Sequence, residues 1–439
     1  MATAPGLIVA APASGSGKTL LTLGLLRHLT RRGLTVTSAK VGPDYIDPAF
    51  HAAASGRPCF SLDGWAMRPA TLAGLAGDLG HAEAIICEGV MGLFDGAFVP
   101  TGGRDGSTAE VAALTGWPVL LVLDARGMSG SAAAVLAGFA RHRADVTIAG
   151  VLFNRVAGER HAAALAEACR LTCPEVALLG WLPKDAALEV PSRHLGLVQA
   201  CERPDLEAFL DGAAALVARH VDVDALLALA RPSGVTGGPA VPLPPLGGRI
   251  AVARDEAFAF AYPAVLEGWR RQGAELSLFS PLDGQGPEPS ADAVYLPGGY
   301  PELHAGRLAA NRGFLDGLRA AAAGGAAMFG ECGGYMVLGR GLEDADGHRH
   351  AMAGLLGLES SFAKRRLHLG YRRAVLTAEG VLGAAATALR GHEFHYASVT
   401  AEDGQPLFAV ADAAGRPLGM AGLAAGRVAG SFVHLIDRE

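Results

Sequence analysis

The apolar residues of this chain fall in short, nearly continuous runs that alternate with segments of helical periodicity. In the first half these runs predict strands at residues 7–11, 35–41, 84–90, 119–124, 147–154 and 176–183, with helices between them. Strands that are apolar at successive positions are typical of a parallel sheet covered by helices on both faces. The pattern therefore predicts a doubly wound α/β sheet.

A segment rich in proline and glycine follows at residues 231–248. It has no periodicity, and its prolines predict a semi-rigid linker. The α/β alternation then restarts, with predicted strands at residues 249–254, 275–279 and 293–296. We therefore predict two domains, at residues 1–230 and 249–439, joined by this linker.

The composition excludes several classes of protein. The 439 residues are 50% hydrophobic and 18% charged, which suits two or three well-packed domains. The net charge of −6 and the lack of a basic run argue against a nucleic-acid partner. No apolar run is long enough to span a bilayer, and the N-terminus lacks the charged region of a signal peptide. We expect a cytoplasmic protein, and a homodimer is compatible with these features.

The sequence APASGSGKT at residues 11–19 joins the first predicted strand to the first predicted helix. It ends as a phosphate-binding P-loop does, although a proline stands where the usual pattern has its first glycine. Gly15, Ser16 and Gly17 can turn their backbone N–H groups toward phosphates. Lys18 can reach the β- and γ-phosphate oxygens, and the Thr19 hydroxyl can ligate Mg²⁺. The loop predicts an ATP site.

Acidic residues follow the next two predicted strands. Asp44 and Asp47 come after the second strand, and Glu88 and Asp95 come at the end of the third. Because ligands bind at the carboxyl ends of parallel strands, these carboxylates can converge near the P-loop. Mg²⁺ needs only one or two carboxylates beside phosphate and water, so Asp44, Asp47 and Glu88 are predicted metal ligands with the loop threonine. Lys40 can offset phosphoryl charge.

Several polar residues at the ends of later strands have open roles. Asn154 could contact adenine or cap a turn, and Asp124 is undecided. Asp185, Arg193 and His194 are typical of a solvated loop, with a substrate face as the alternative.

In the second half, an apolar run at residues 326–329 leads into a Gly-x-Cys-x-Gly turn centred on Cys332. A strand that turns this sharply into a helix forces its middle residue into a strained conformation. At a helix N-terminus we expect the pKa of the thiol to fall. Alone, the motif is also compatible with a buried cysteine in a glycine-rich turn.

Two further motifs accompany the cysteine. The predicted strand at residues 293–296 runs into Pro297-Gly298-Gly299, whose bare N–H groups suit an oxyanion hole, or a plain turn. His434 lies in a late apolar strand. Oxyanion glycines, a nucleophilic thiol and a late histidine together indicate a thiol acyl-transfer site.

On these motifs the second half resembles the class I glutamine amidotransferase domains. The resemblance implies that Cys332 is the nucleophile, His434 its base, and Gly299 and Gly333 the oxyanion donors. Most such domains carry a glutamate two residues after the histidine, where this chain has Ile436. The cobyrinic and cobyric acid synthase branch lacks that glutamate too and relies on a Cys–His pair.

The first half is similar to the dethiobiotin synthetase-type P-loop domain, in which the nucleotide turns a substrate carboxylate into an acyl phosphate. Both halves, with KVGPDYIDP, EGVMGLFDG, PGGYPE and GHEFHYAS, resemble the cobyrinic and hydrogenobyrinic acid a,c-diamide synthases. This implies ATP- and Mg²⁺-dependent amidation of the a and c carboxylates of a corrin macrocycle in cobalamin biosynthesis, with L-glutamine as nitrogen donor. Tyr45 and Ile46 would select the carboxylate, and Asp95 would position substrate or ammonia.

Two polar segments remain in the second half. The basic residues 364–372 could pair with carboxylates of the macrocycle or form a solvated loop. Residues 391–396 combine an acid with two imidazoles, which favours structural contacts or support of the Cys–His pair over a metal site.

Three other functions stay open at this point. One is a ParA-like switch ATPase with an inactive amidotransferase tail, although Pro12 and Ala13 occupy the place of the extra lysine in those loops. The second is a non-catalytic tetrapyrrole carrier. The third is an a,c-diamide synthase for another tetrapyrrole, such as nickel sirohydrochlorin. The residues do not indicate whether the macrocycle contains cobalt, although a composition typical of a GC-rich genome leans toward the cobalt-free route.

Overall fold

The computed structural model describes residues 4–100, 102–184, 192–193, 196–235 and 237–439. The chain forms two compact units. The first unit consists of Met1–Trp65, Pro69–Gly96 and Arg104–Ala240. The second unit consists of Ala66–Arg68, Ala97–Gly103 and Val241–Glu439.

The first unit contains a parallel sheet. Its strands are β1 (Pro5–Ala10), β2 (Val36–Val41), β3 (Cys59–Leu62), β4 (Ala84–Glu88), β5 (Val119–Asp124), β6 (Ile148–Val156) and β7 (Ala177–Pro183). They lie in the order β3-β2-β4-β1-β5-β6-β7, and each neighbouring pair is parallel. The predicted sheet is confirmed. The sequence missed β3, because a strand of four residues is too short to show a period.

Helices surround this sheet. They are α1 (Lys18–Arg31), α2 (Asp47–Ser55), α3 (Pro69–Leu79), α4 (Thr108–Thr115), α5 (Ser131–His142), α6 (Glu159–Thr172), α7 (Leu206–His220) and α8 (Val223–Leu229). The strands β8 (Ser192–Arg193) and β9 (Gly196–Leu197) form a small hairpin. Because β1 and β4 are buried along almost their whole length, the sheet is covered on both faces.

The strand order places candidate site residues side by side. Strand β4 lies between β2 and β1, so Glu88 is the register partner of Lys40 on one side and Val9 on the other. Asp124 and Asn154 are likewise partners at the ends of β5 and β6. The carboxyl edge of the sheet therefore collects these polar groups, as expected for an open α/β sheet.

The second unit contains a mixed sheet. Its strands, numbered on from β10 (Arg231–Pro232), are β11 (Arg249–Ala253), β12 (Glu275–Phe279), β13 (Ala293–Leu296), β14 (Ala327–Glu331), β15 (Gly341–Glu343), β16 (Arg349–Ala351), β17 (Gly357–Ser361), β18 (His368–Leu376), β19 (Ala388–His395), β20 (Ser398–Asp403), β21 (Gln405–Ala411), β22 (Pro417–Ala425), β23 (Val428–Ser431) and β24 (Val433–Arg438). Ten of them form one sheet in the order β12-β11-β13-β14-β23-β22-β21-β18-β19-β24.

Strand direction changes within this sheet. The pairs from β12 to β23 are parallel, and those from β23 to β24 are antiparallel. The helices are α9 (Pro263–Arg271), α10 (Ala305–Ala310), α11 (Arg312–Ala323) and α12 (Gly333–Leu338). The α/β core was predicted from the sequence, but the antiparallel part was not. None of the described helices combines the length and apolarity needed to cross a bilayer.

The predicted linker at residues 231–248 is divided between the units at Ala240 and Val241. On the first side, β10 pairs antiparallel with β1. On the second side, the Trp269 indole N–H donates to the carbonyl of Pro244 at 2.9 Å. Each part of the segment is therefore bonded within its own unit.

Within the second unit, Arg68 pairs with Asp437. The Arg68 Nη2 donates to Asp437 Oδ1 at 2.7 Å, and its backbone N–H donates to Oδ2 at 2.8 Å. Asp437 is fully buried. Because a buried carboxylate must be neutralised by a partner, this pair ties the segment Ala66–Arg68 to the last strand.

We expect Arg68→Met to lower the free energy of unfolding of the second unit by about 3 kcal/mol, since it leaves a buried carboxylate without its cation. Urea unfolding followed by fluorescence would measure the change. Arg416→Met is a matched control, because Arg416 pairs with Asp412 at 2.7 Å from a position that is 77% exposed. It should cost no more than about 1 kcal/mol. Equal losses in the two variants would contradict the role given to burial.

Candidate functional site

The loop between β1 and α1 requires glycine at two positions. Gly15 and Gly17 have φ angles of 74° and 98°, in the left-handed region that glycine enters without strain. A Cβ on Gly17 would lie 2.0 Å from Asn154 Nδ2. That amide donates to the carbonyl of Ser16 at 2.8 Å. Asn154 thus packs directly behind the loop and fixes its backbone.

Arg155 supports the same loop. Its Nη1 donates to the carbonyl of Gly15 at 2.8 Å and to Asp124 Oδ2 at 2.6 Å. Asp124 and Asn154, two of the residues whose roles the sequence left open, therefore both act on the loop, and Asp124 does so through Arg155.

The lysine and threonine of the loop face β4 and the segment after it. Lys18 Nζ donates to the carbonyl of Met91 at 2.5 Å, and burial lowers the pKa of Lys18 to about 8. The Thr19 hydroxyl donates to Glu88 Oε1 at 2.7 Å. The start of α1 therefore lies against the carboxyl end of β4, as a P-loop requires.

Lys40 lies where the predicted metal ligands converge. Its Nζ is 2.5 Å from Asp47 Oδ2, 2.9 Å from Glu88 Oε1 and 3.8 Å from Asp44 Oδ2. Burial alone would lower the pKa of Lys40, but the three carboxylates raise it well above its usual value. Burial, with repulsion from Asp44, raises the pKa of Asp47 to about 7. The oxygens of these three carboxylates are the kind of ligand that Mg²⁺ prefers, so the donor set fits a divalent cation.

The sequence interpretation missed His51. Its Nε2 is 2.8 Å from Glu88 Oε2, and its Nδ1 is 3.4 Å from Cys59 Sγ. Glu88 therefore has contacts on both oxygens. The signal was present, since Asp47 and His51 are four residues apart on α2 and share a face of that helix.

The three predicted substrate residues differ in exposure. Tyr45 and Ile46 are only 7% and 5% exposed, so the structure presents little of either surface. Asp95 is exposed, and its Oδ2 accepts from the backbone N–H of Gly92 at 2.9 Å. Asp44 Oδ1 accepts from the N–H of Ile46 at 2.8 Å, so it also has the turn role considered for these acids. Asp185 and His194 lie outside the described residues.

In the second unit, Cys332 lies between β14 and α12 with φ 47° and ψ −102°. This confirms the strained elbow predicted from the glycine pattern. The Cys332 N–H donates to the carbonyl of Ser431 at 2.8 Å. A Cβ on Gly334 would lie 2.0 Å from the carbonyl oxygen of Leu296, so only glycine fits there.

The Pro-Gly-Gly turn after β13 packs against both the histidine and the cysteine elbow. A Cβ on Gly298 would lie 2.3 Å from His434 Cε1. A Cβ on Gly333 would lie 3.0 Å from the backbone nitrogen of Gly299. The structure therefore brings together the predicted nucleophile, base and oxyanion glycines.

The predicted fall in the thiol pKa of Cys332 is wrong. Burial raises the pKa of its thiol above the usual value, and the charge of Glu302 adds to this effect. The following helix has only six residues, so its dipole does not offset burial. Burial, with His392 and His395 nearby, lowers the pKa of His434 to about 3. Burial therefore favours the neutral thiol and the neutral imidazole in the absence of substrate.

A carboxylate that the sequence interpretation did not use lies beside this histidine. Glu331 Oε2 is 3.9 Å from His434 Nδ1, whereas Ile436 is buried and apolar. The signal available in the sequence was an acidic residue at the end of an apolar strand.

Strands β18 and β19 bring further charged groups near the pair. His392 is the register partner of His434. Arg372 Nε donates to Glu393 Oε2 at 2.6 Å, and His395 Nε2 is 2.9 Å from Glu393 Oε1. Burial alone would raise the pKa of Glu393, but His395 and Arg372 lower it to about 2. This agrees with support of the Cys–His pair.

The same strands answer two open points from the sequence. Within the basic segment, the Arg372 guanidinium is paired with Glu393 of the neighbouring strand, whereas residues 364–366 are exposed to solvent. His368, Glu393 and His395 place three potential ligand atoms within 4.8 Å of one another. Because the guanidinium of Arg372 contacts Glu393, positive charge already occupies that place, which disfavours a cation.

The fold and the two sites define a class of protein, in which a P-loop nucleotide-binding domain is joined to a cysteine-dependent glutamine amidotransferase domain. Residues 7–198 match the family model described as a CobQ/CobB/MinD/ParA nucleotide binding domain. Residues 249–439 match the model of the CobB/CobQ-like glutamine amidotransferase domain.

The curated relatives narrow this class. The chain is 56% identical over 432 residues to the hydrogenobyrinate a,c-diamide synthase of Rhodobacter capsulatus, covering 98% of each chain. It is 55% identical to that of Rhizobium meliloti, covering 98% of this chain and 99% of the relative. It is 54% identical to that of Brucella anthropi, covering 98% of each. The chain belongs to the hydrogenobyrinate a,c-diamide synthase family.

We expect Gly17→Ala to weaken ATP binding by at least about tenfold, because the new Cβ must displace the Asn154 amide in a left-handed backbone conformation. Titration calorimetry would measure the dissociation constant. Gly33→Ala is the matched control, since Gly33 has φ 84° and open space where a Cβ would lie. Unchanged affinity in Gly17→Ala would show that contact with Asn154 does not shape the phosphate site.

Proposed function

We propose that this protein amidates the a and c carboxylates of hydrogenobyrinic acid, using ATP and L-glutamine. The observation that supports this most is that one chain, similar along its whole length to hydrogenobyrinate a,c-diamide synthases, carries both chemical centres. Its P-loop faces an acidic cluster, and its Cys332 and His434 flank the Pro-Gly-Gly turn. A switch ATPase with an inactive tail would not need Cys332 and His434 intact, and a passive carrier would need neither pair of groups.

In the second unit, the Cys332 sulfur attacks the side-chain amide carbon of glutamine while His434 takes the thiol proton. The N–H groups of Gly299 and Gly333 bind the oxyanion. The C–N bond then breaks, and the same proton leaves with ammonia. Water, deprotonated by the imidazole, hydrolyses the thioester and returns the thiol with glutamate.

In the first unit, ATP makes the acid reactive. A carboxylate is a poor electrophile, so its oxygen attacks the γ-phosphorus, giving an acyl phosphate and ADP. Gly15, Ser16, Gly17 and Lys18 bind the phosphates. Thr19 and Glu88, with Asp44 or Asp47, would hold Mg²⁺, which supplies neutralising charge at the phosphate oxygens. Lys40 fixes those acids in place.

Ammonia attacks the acyl phosphate carbon and the C–O bond to phosphate breaks. Inorganic phosphate leaves with the bonding electrons and takes up the proton that the nitrogen loses. Each of the two carboxylates uses one ATP and one glutamine, both cytoplasmic metabolites. Asp95, exposed beside the loop, is better placed than the buried Tyr45 and Ile46 to contact substrate or ammonia.

We expect Cys332→Ala to lower glutamine-driven amidation by at least about 10³-fold while ammonium salts still support the reaction. The reason is that only release of ammonia needs the thiol. Product formation with each nitrogen source is the measurement. Cys201→Ala, at an exposed cysteine of the first unit, should leave both rates unchanged. Loss of the ammonium-driven reaction in Cys332→Ala would contradict this division of labour.

Mass spectrometry should show two hydroxyl-to-amino exchanges on hydrogenobyrinic acid after incubation with ATP, Mg²⁺ and glutamine. Cobyrinic acid and nickel sirohydrochlorin are the comparison substrates. Faster diamidation of either one would move the assignment to that macrocycle. Binding of all three without ATP hydrolysis would indicate a carrier.

A further inference from the structure

Glu331 occupies a fixed position beside the thiol centre. It ends β14, immediately before Cys332, and is 2% exposed. The Tyr295 hydroxyl donates to Glu331 Oε2 at 2.7 Å, and the backbone N–H of Leu435 donates to Oε1 at 2.9 Å. Two donors on two strands therefore set the orientation of this carboxylate.

The second of these bonds acts on the histidine. Leu435 follows His434 in β24, so its bond to Glu331 fixes the backbone that carries the imidazole. On the other side, Gly298 leaves room for the ring only because it lacks a Cβ. The carboxylate thus lies 3.9 Å from Nδ1 of a ring that packs against Gly298 on its other side.

The surroundings of Glu331 strengthen its field. It is the charged residue in the lining of an apolar pocket that also includes Leu243, Trp269, Phe329 and Leu389. In such surroundings a Coulomb interaction over the 3.9 Å to the imidazole is stronger than it would be in water.

We propose that Glu331 is the positioning carboxylate of this amidotransferase centre. In the resembling domains this role belongs to a glutamate two residues after the histidine. Ile436 occupies that position in this chain. Glu331 holds the ring through Leu435 and stabilises the imidazolium that forms when His434 takes the proton of Cys332. The inference rests on the proposed function.

The role has a pH signature. Burial raises the pKa of Glu331 to about 7, opposed by the bonds from Leu435 and Tyr295. The other titratable groups near the pair are Glu302 after β13 and His392, Glu393 and His395 on β19. Because the anion is the active form, glutamine hydrolysis should rise as pH increases through about 7.

Glu331→Gln tests this. Glutamine keeps the shape and its oxygen can still accept from Leu435, so the charge is lost together with the bond accepted from Tyr295. We expect kcat for glutamine hydrolysis to fall at least about tenfold with KM nearly unchanged, since the charge acts on the transition state. The rise near pH 7 should disappear, and ammonium-driven amidation should continue.

Glu402→Gln is the matched control, because Glu402 also accepts from a tyrosine hydroxyl, that of Tyr335 at 2.7 Å, but is exposed. It should leave kcat and the pH profile unchanged. Tyr295→Phe keeps the charge and removes one donor, so the rise should move to higher pH with the maximal rate retained. This second variant decides the matter if Glu331→Gln does not fold.

Wild-type kcat and pH profile in Glu331→Gln, or an unmoved profile in Tyr295→Phe, would overturn the inference. Those results leave the proposed function standing if Cys332→Ala still loses only the glutamine-driven reaction. Failure of the wild-type protein to use glutamine would instead remove the proposed function itself.

Discussion

Both reaction centres depend on one constraint, a turn from a strand into a helix that leaves no room for a Cβ. At the first centre the obstacle to a side chain on Gly17 is the Asn154 amide, and at the second the obstacle to one on Gly334 is the carbonyl of Leu296, each at 2.0 Å. Such closeness lets backbone N–H groups face a ligand directly.

The two centres treat buried charge in opposite ways. In the first unit, Lys40 forms direct ion pairs with Asp47 and Glu88, and the carboxylate oxygens gathered there suit a metal ion. In the second unit, burial keeps Cys332 and His434 neutral. Charge appears on those two side chains only during the reaction, which is when a nearby carboxylate has its effect. The first centre therefore holds charged side chains before the reaction, whereas the Cys–His pair of the second becomes charged only during it.

The sequence predicted the parallel sheet, the P-loop and the cysteine elbow, because each depends on local order along the chain. Apolar runs identify covered strands, and glycine spacing identifies tight turns. The contacts of Glu331 and His51 were not predictable in this way, since their partners lie on strands distant in sequence. The pKa of Cys332 was predicted in the wrong direction, because helix position is visible in a sequence and burial is not. Antiparallel strands such as β18 and β22 were missed because many of their positions are half buried or exposed, whereas the late strand with His434 was predicted.

The pairing of Arg68 with Asp437 joins residues made early and late in synthesis. Because the cation that pairs with this carboxylate comes from residue 68, the buried interior of the C-terminal half is completed by a segment from the N-terminal half. A protein fragment of residues 249–439 alone would therefore lack the segment Ala66–Arg68, which belongs to the second unit. Dissecting this enzyme into independent halves requires carrying the borrowed segment along, or replacing Asp437 with an uncharged residue.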